Sequence, residues 1–430
     1  MPDQLNYEKL KADHDRLKTG IQELAILNEI ATTISSTMEL DNIIEIVVKK
    51  CIRHFKVEQA NISLITEDTA LVPLQTMIRE FDSESGRIPF RLDQQITGWM
   101  LTKHQALIIN DVDEDPRFKS FLTESAYFSL LAVPMMHKGK VIGVLSLFNK
   151  SGKEDFDSND QRLLTIIASG SSQVIVNARL LEEEKKLIAV KEELNIASKI
   201  QKKLLPDTLP EIKGYQIAGT NIPAKEVGGD YYDVIPIDEN RYIICLGDVS
   251  GKGMPAALLV ANLQATIHSL ILANEEPSKI VQQANKLIHA STTSDKFITF
   301  FLGILDLQTN ELIYCNAGHD KPFVLSIQNN YEELGMGGLC LGFVPHFDYE
   351  RDTYKIKSNE ILVIFSDGVT EAMNAAEEEF ELDRLQQIVL ENNKKSAEQI
   401  MNTILKEIEN HVAGEEQMDD ITLVVLKKTP

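Results

Sequence analysis

Four stretches in the second half of the chain each set an aspartate at the end of an apolar, strand-like run. Asp230 follows the glycine pair of EVGGDYYD, and Asp248 ends YIICL. Asp367 ends ILVIFS in SDGVTEA, while Asp419 and Asp420 immediately precede ITLVVL. A short carboxylate at the tip of a buried strand has little freedom, and several tips can converge. Convergence without a cation is costly: two carboxylates ~4 Å apart repel by about 4 kcal/mol at an effective dielectric near 20. Several such pairs would consume much of a net domain stability of about 5–15 kcal/mol. Either the tips stand apart or divalent metal sits among them. An all-oxygen set with no His or Cys cluster favours Mg²⁺ or Mn²⁺ over Zn²⁺. The competing reading makes each a loop cap, since Asp and Gly are common turn formers. Four at strand ends in one segment weigh toward metal.

The stretch CLGDVSGKGMPAALLV, residues 245–260, adds a glycine-rich loop with Gly251 and Gly253, then a helix with Pro255 in its first turn. Loops of this shape let the backbone pass close to a metal or a phosphate. His319 in NAGHDKP reads either as a general acid or as a turn histidine bonded to backbone. Rival chemistries fail on spacing. No cysteine is followed six residues later by arginine, so a cysteine phosphatase is excluded. DVDEDP at 111–116 imitates an aspartyl-nucleophile loop and a calcium loop, but Asp115, Pro116 and Leu122 fit neither.

These residues need elements to hold them, and 430 residues exceed one ordinary domain. Composition, 43% hydrophobic and 25% charged, fits a soluble globular protein. A net charge of -22 with no basic stretch argues against nucleic-acid or anionic-membrane partners. The charged N-terminus is no secretory signal, and with no run of about 18 apolar residues no membrane span is expected. Cys51, Cys245, Cys315 and Cys340 form no CxxC pair and read as reduced thiols of a cytoplasmic protein.

Leu10, Leu17, Ile21, Leu24 and Ala31 trace one helical stripe, and 41–55 form a second amphipathic helix. Strand-like runs follow in ANISLIT, ALVPLQTMI, ALIIN, LLAVPMM and VIGVLSLFN, closed by a helix from Ser158 to about Ala178. This is a compact α+β module. Leu187, Val190, Leu194, Ala197, Gln201 and Leu204 then step by threes and fours, the seam of a coiled coil, until Pro206 and Pro210 end it. Beyond lie the strands YQIAGTNIP, DYYDVIPI and RYIICLG, a hairpin of FITFFLGILDL and ELIYCNAG, and the late strands EILVIFS and ITLVVL. Helices are expected after Gly253, at 277–291, and near 382–391 and 396–411. The grouping predicts two layered sheets flanked by helices.

Residues 35–178, over DQQITGWMLTKHQALIINDVDEDPRF and SLLAVPMMHKGKVIGVLSLFNK, resemble a GAF domain, a small sensory module. Its cyclic-nucleotide-binding members carry an Asn-Lys, Phe, Asp-Glu pattern. Asn149, Lys150, Phe156 and Asp160 match it, but Gln161 replaces the glutamate. The other reading is that these residues shape a turn and cap the last helix.

EVGGDYYD, GDVSGKGMPAALL, NAGHDKP, SDGVTEA and DDITLVVL, in that order over about 207–428, resemble the SpoIIE-type branch of the metal-dependent PPM serine/threonine phosphatases. The resemblance implies two Mn²⁺ or Mg²⁺ ions and phosphoester hydrolysis by activated water, with no covalent enzyme intermediate. It implies that Asp248 bridges both ions and that the Val249 carbonyl joins one. Asp367 and Asp419 would hold the first ion and Asp230 the second, with Asp233 and Asp420 as outer acceptors. Gly251 would bring backbone close to the ions. More distant members place arginine five residues before the first acidic residue, where this chain has Lys225. The family's proline pair after the histidine is replaced by Asp320–Lys321–Pro322.

The expected organisation is an N-terminal helix (1–34), a GAF sensor (35–178), a coiled-coil linker (179–206) and a PPM-type α/β/β/α sandwich (207–430), α+β throughout. The expected function is a cytoplasmic, homodimeric signalling phosphatase. Its substrate would be phosphoserine on an anti-sigma-factor antagonist, under control of an effector at the GAF domain. The alternative is a catalytically degenerate relay that binds partners without hydrolysis.

Overall fold

The computed structural model describes residues 39–65, 75–80, 90–112, 114–115, 128–272, 276–293, 295–335 and 337–430, with the isolated positions 10, 14 and 20. The helix expected over 10–31 lies outside the described residues except at Leu10, His14 and Gly20, which are helical. Contacts divide the chain into two units, Met1–Ile188 and Ala189–Pro430.

The first unit is built on an antiparallel sheet ordered β2-β1-β5-β4-β3. Its strands are β1 (Val57–Leu64), β2 (Gln75–Glu80), β3 (Leu107–Ile109), β4 (Leu130–His137) and β5 (Lys140–Lys150). Apolar residues of α1 (Leu40–Phe55), Ile43, Ile44, Val47, Val48 and Cys51, fall at helical spacing and are buried. They cover one face of the sheet together with Leu164, Ile167 and Ile175 of α3 (Ser158–Lys202). The opposite face packs Val144 and Phe148 against Ile96 and Met100 of α2 (Phe90–Lys103).

The separate helices expected before and after residue 178 are one helix of 45 residues. No proline interrupts the stretch before Pro206, and the charged residues from 182 onward are good helix formers. Leu187 and Val190 are exposed there, at 71% and 55%, as an apolar stripe.

The second unit is a sandwich of two five-stranded antiparallel sheets. One is ordered β13-β10-β9-β8-β7, from β7 (Asp230–Pro236), β8 (Arg241–Val249), β9 (Ile298–Asp306), β10 (Glu311–Ala317) and β13 (Asp352–Lys355). The other is ordered β12-β11-β14-β15-β6, from β6 (Tyr215–Ile222), β11 (Phe323–Leu325), β12 (Tyr331–Glu333), β14 (Ile361–Phe365) and β15 (Ile421–Lys428). Tyr232, Ile244, Leu246, Phe301 and Leu312 meet Leu362, Ile364, Val424 and Leu426 between the sheets. Outside the first sheet lie α4 (Met254–Ile271) and α5 (Pro277–Ser291), and outside the second α7 (Leu382–Glu391) and α8 (Ala397–Val412). The layering is α/β/β/α, as the sequence predicts. Helix starts are chemically marked: Pro255 sits in the first turn of α4, and Ser396 with Gln399 forms a capping box on α8. By length and composition α3 and α4 are apolar enough to cross a bilayer. In α4, Val260, Leu263 and Ile267 are spent on the core beneath the sheet.

Candidate active site

Antiparallel pairing does most of the positioning. β7 and β8 place Asp230 opposite Asp248, and Asp248 faces Thr299 on β9. In the other sheet, β14 runs into α6 (Asp367–Thr370), while Asp419 and Asp420 lead into β15. Ser366 N donates to the Thr422 carbonyl, which holds those two ends side by side. Across the sandwich, the Thr422 hydroxyl donates to Asp230 Oδ2 at 2.5 Å.

The carboxyls at these tips share one field. Burial, then the neighbouring charge of Asp248, pushes Asp230 well above the ordinary carboxylate range. Asp248 is pushed up to about 6, burial leading, with Asp419, Asp420 and Asp320 adding and a hydrogen bond with Asp230 opposing. Asp367 rises to about 7 through burial, then the charges of Asp248 and Asp419. Asp320 and Glu371, at the rim, are raised too, chiefly by burial. Among the described residues the ion pair that answers this charge is that of Lys252, whose Nζ lies 2.8 Å from Asp419 Oδ2 and also donates to the Met418 carbonyl. Its hydrogen bond to Asp419 leads in raising the lysine's own pKa.

Anionic oxygen donors that oppose one another's ionisation fit a hard divalent cation such as Mg²⁺ or Mn²⁺. Among the described residues no three His, Cys, Asp or Glu side chains already form a closed ligand group. Here Asp419 is turned to Lys252.

The glycines explain how the backbone comes so close. A Cβ on Gly229 would lie 3.1 Å from the Val249 carbonyl oxygen, and one on Gly228 would strike Asp420 Oδ2. Gly251 has φ 94, turning the chain left-handed between Val249 and Lys252. Asp420, expected as an outer acceptor, accepts from three backbone N–H groups: Gly229 at 2.5 Å, Ala224 at 2.8 Å and Asp230 at 3.3 Å. It clamps the whole 224–230 loop.

Asp233 is a correction. Three residues from Asp230 on a strand, it points to the opposite face. There it accepts from the Tyr231 hydroxyl at 2.9 Å and pairs with His268 Nε2 at 2.9 Å, away from the carboxylate tips. Lys225 is exposed on the loop between β6 and β7. His319 is 3% exposed, its ring Nδ1 2.9 Å from the Thr299 hydroxyl, and its backbone N–H donates to Asn316 Oδ1. Burial lowers its pKa to about 4, a backbone hydrogen bond with Phe365 opposing, so the ring is neutral near pH 7 and lacks the second proton of an imidazolium. These bonds match the turn reading.

Lys252, Thr422 and Gln201 are the functional neighbours that the sequence reading missed. Lys252 was visible inside the VSGKG loop as the basic residue nearest the acidic tips. Gln201, read as a seam residue, instead bonds both backbone groups of Gly228, Nε2 to the carbonyl at 2.6 Å and N–H to Oε1 at 2.9 Å.

In the first unit, the residues matching the cyclic-nucleotide pattern are engaged in local contacts. Lys150 pairs with Asp160 at 2.5 Å, Asn149 with Glu58 at 2.7 Å, and Phe156 is buried. Asp157 caps the start of α3 through the N–H groups of Asn159 and Asp160.

Comparison with known proteins agrees with this geometry. The family model of Stage II sporulation protein E matches residues 238–429, and that of the GAF domain matches residues 37–176. Phosphoserine phosphatase RsbU of Bacillus subtilis is 30% identical over 248 residues, 56% of this chain and 71% of RsbU. Protein IcfG of Synechocystis is 27% identical over 261 residues, 54% of this chain but only 41% of IcfG. The solved SiaA-PP2C domain of Pseudomonas aeruginosa superposes with a TM-score of 0.50 at 20% identity, over 56% of this chain and 98% of that domain, which shows a shared fold. A relative at this identity, matched over most of its length, together with strand-tip aspartates in the family's motif order, establishes that the chain belongs to the SpoIIE-type family of protein serine/threonine phosphatases and carries a GAF domain.

Proposed function

We propose that the chain hydrolyses phosphoserine on a partner protein with two divalent cations, Mn²⁺ or Mg²⁺, at the strand tips. Asp248 would serve both cations, Asp367 and Asp419 the first, and Asp230 the second, with the Val249 carbonyl contributing. Bound there, the cations would supply activated water near neutral pH and neutralise phosphoryl charge. The remaining work falls to the chain. Thr422 occupies one oxygen of Asp230 and so fixes its rotamer. Asp420 holds the loop that carries Asp230. Neutral His319 braces Thr299, the β9 neighbour of Asp248, and serves position rather than proton transfer.

The observation that carries this reading is that strand pairing sets Asp230 opposite Asp248, and that burial together with the charge of Asp248 raises both Asp230 and Asp367. The substrate class follows from the RsbU relative, named a phosphoserine phosphatase. An anti-sigma-factor antagonist in the cytoplasm is the substrate we put forward, with an effector at the GAF domain and a homodimer formed along the exposed stripe of α3. Control through α3 is supported by Gln201, whose amide grips Gly228 two residues from Asp230. Phosphate release from such a phosphorylated antagonist should require Mn²⁺ or Mg²⁺ and vanish in chelator. Binding without turnover under any metal would leave the relay reading instead. Equal specific activity of the full chain and of residues 207–430 under all effectors would refute the coupling.

A further inference from the structure

Lys252 stands between two left-handed glycines, Gly251 at φ 94 and Gly253 at φ 77. That double turn lets a side chain from the loop after β8 cross to the loop before β15. There its Nζ meets Asp419 Oδ2 at 2.8 Å, with the Met418 carbonyl as a further acceptor. Among the described residues no other ion pair engages Asp230, Asp248, Asp367 or Asp419. The pair is also accessible, with the lysine side chain 40% and the aspartate side chain 36% exposed. It lies at the rim of the centre, where an incoming phosphoryl group would arrive.

We infer that Lys252 is an internal counter-ion of the metal centre, which competes with a divalent cation for Asp419 and, once displaced, anchors the substrate's phosphoryl group. The inference rests on the two-cation reading above and adds to it the residue that meets the substrate. An ammonium donates hydrogen bonds to a carboxylate and a divalent cation takes its lone pairs, and the two positive charges cannot share one carboxylate oxygen without strong repulsion. Displacement leaves a compact positive charge on a flexible four-carbon stem, tethered near the Met418 carbonyl, beside a centre about to receive a dianion. Binding of cation and of phosphate are thereby coupled: the first ligand frees the group that the second needs. Lys225, exposed on the 223–229 loop, has no such link to a carboxylate that we assign to the metal.

The test uses the full chain as wild type, Lys252→Met, Lys252→Arg and Asp367→Asn. Calorimetric titration with Mn²⁺ alone reads the competition without any turnover. Lys252→Met should bind the Asp419-linked cation about 5- to 10-fold more tightly than wild type. On the Mn²⁺-loaded chain, inorganic phosphate should bind Lys252→Met about tenfold more weakly, the loss expected for one charged hydrogen bond. KM for the phosphoprotein should rise more than kcat falls, and Lys252→Arg should restore phosphate binding. Unchanged Mn²⁺ and phosphate affinities in Lys252→Met overturn the inference. So does weaker Mn²⁺ binding accompanied by lost thermal stability, which would mark a loop tether. If wild type and Asp367→Asn take up Mn²⁺ alike, the two-cation reading falls first, and this inference with it.

Discussion

After β5 of the GAF domain, Lys150 meets Asp160 at 2.5 Å, and Asp157 accepts two backbone N–H groups that cap α3. At the strand tips of the phosphatase domain, Asp248 faces Asp230, and Asp367 feels both Asp248 and Asp419. The hydrogen bond from Asp160 N leads in holding the Asp157 carboxyl below the ordinary range, whereas burial and like charge lift Asp248 and Asp367 to about 6 and 7. Both regions gather acidic residues at the ends of strands or helices. A carboxylate whose surroundings favour its charge holds the fold, and one whose surroundings oppose it is the kind whose charge a cation would relieve. The matching of nucleotide-pattern residues in the first region is therefore accounted for by local structure, while the second region is left with charge to spend.

The contrast breaks most sharply at the tips. Asp248→Ala or Asp367→Asn should cut phosphate release by about 1,000-fold, since each removes several kcal/mol of transition-state stabilisation. A turnover loss below tenfold, with the fold intact by circular dichroism, would count against a metal role. Asp420→Ala should act on structure as well. It strands three backbone donors at a position 6% exposed, so urea unfolding should register a loss of about 2–3 kcal/mol. Lys150→Met should cost about 1–2 kcal/mol in the same measurement, because the pair with Asp160 is only 15% and 19% exposed. No measurable cost would show that the GAF turn is not held by its charges.

The mildest effect is on pH dependence. Asp248 and Asp367 have folded values raised from 3.8 to about 6 and 7. Their proton uptake therefore adds stability that is complete below 3.8 and is lost as pH rises through 6 and 7. In chelator, melting temperature should fall more between about pH 5 and 8 for wild type than for Asp367→Asn. Parallel curves would mean that Asp367 does not titrate in that window.

The acidic tips are legible because each sits where an apolar run begins or ends, and the sheet layers are legible from those same runs. Asp233 shares a motif with Asp230, but its odd offset along the strand sends it to the face that packs on α4, where it meets His268. Lys252 escaped notice because a long side chain's partner is set by which loops approach in three dimensions, and Met418–Asp419 lie more than a hundred residues away in sequence. Gln201 fitted a heptad step, and nothing local announced that its amide would bind the Gly228 backbone. Strands β11, β12 and β13 carry three or four residues each, too few for an alternation to declare itself.

The hydrogen bond from Thr422 to Asp230 ties one sheet to the other at the end of the sandwich where chemistry would occur. Asp230 and Asp248 belong to one layer, Asp367 and Asp419 to the other, so any ion they shared would rivet the layers together. Metal starvation would then soften the whole domain, and loss of catalysis and loosening of the scaffold would arrive as a single event.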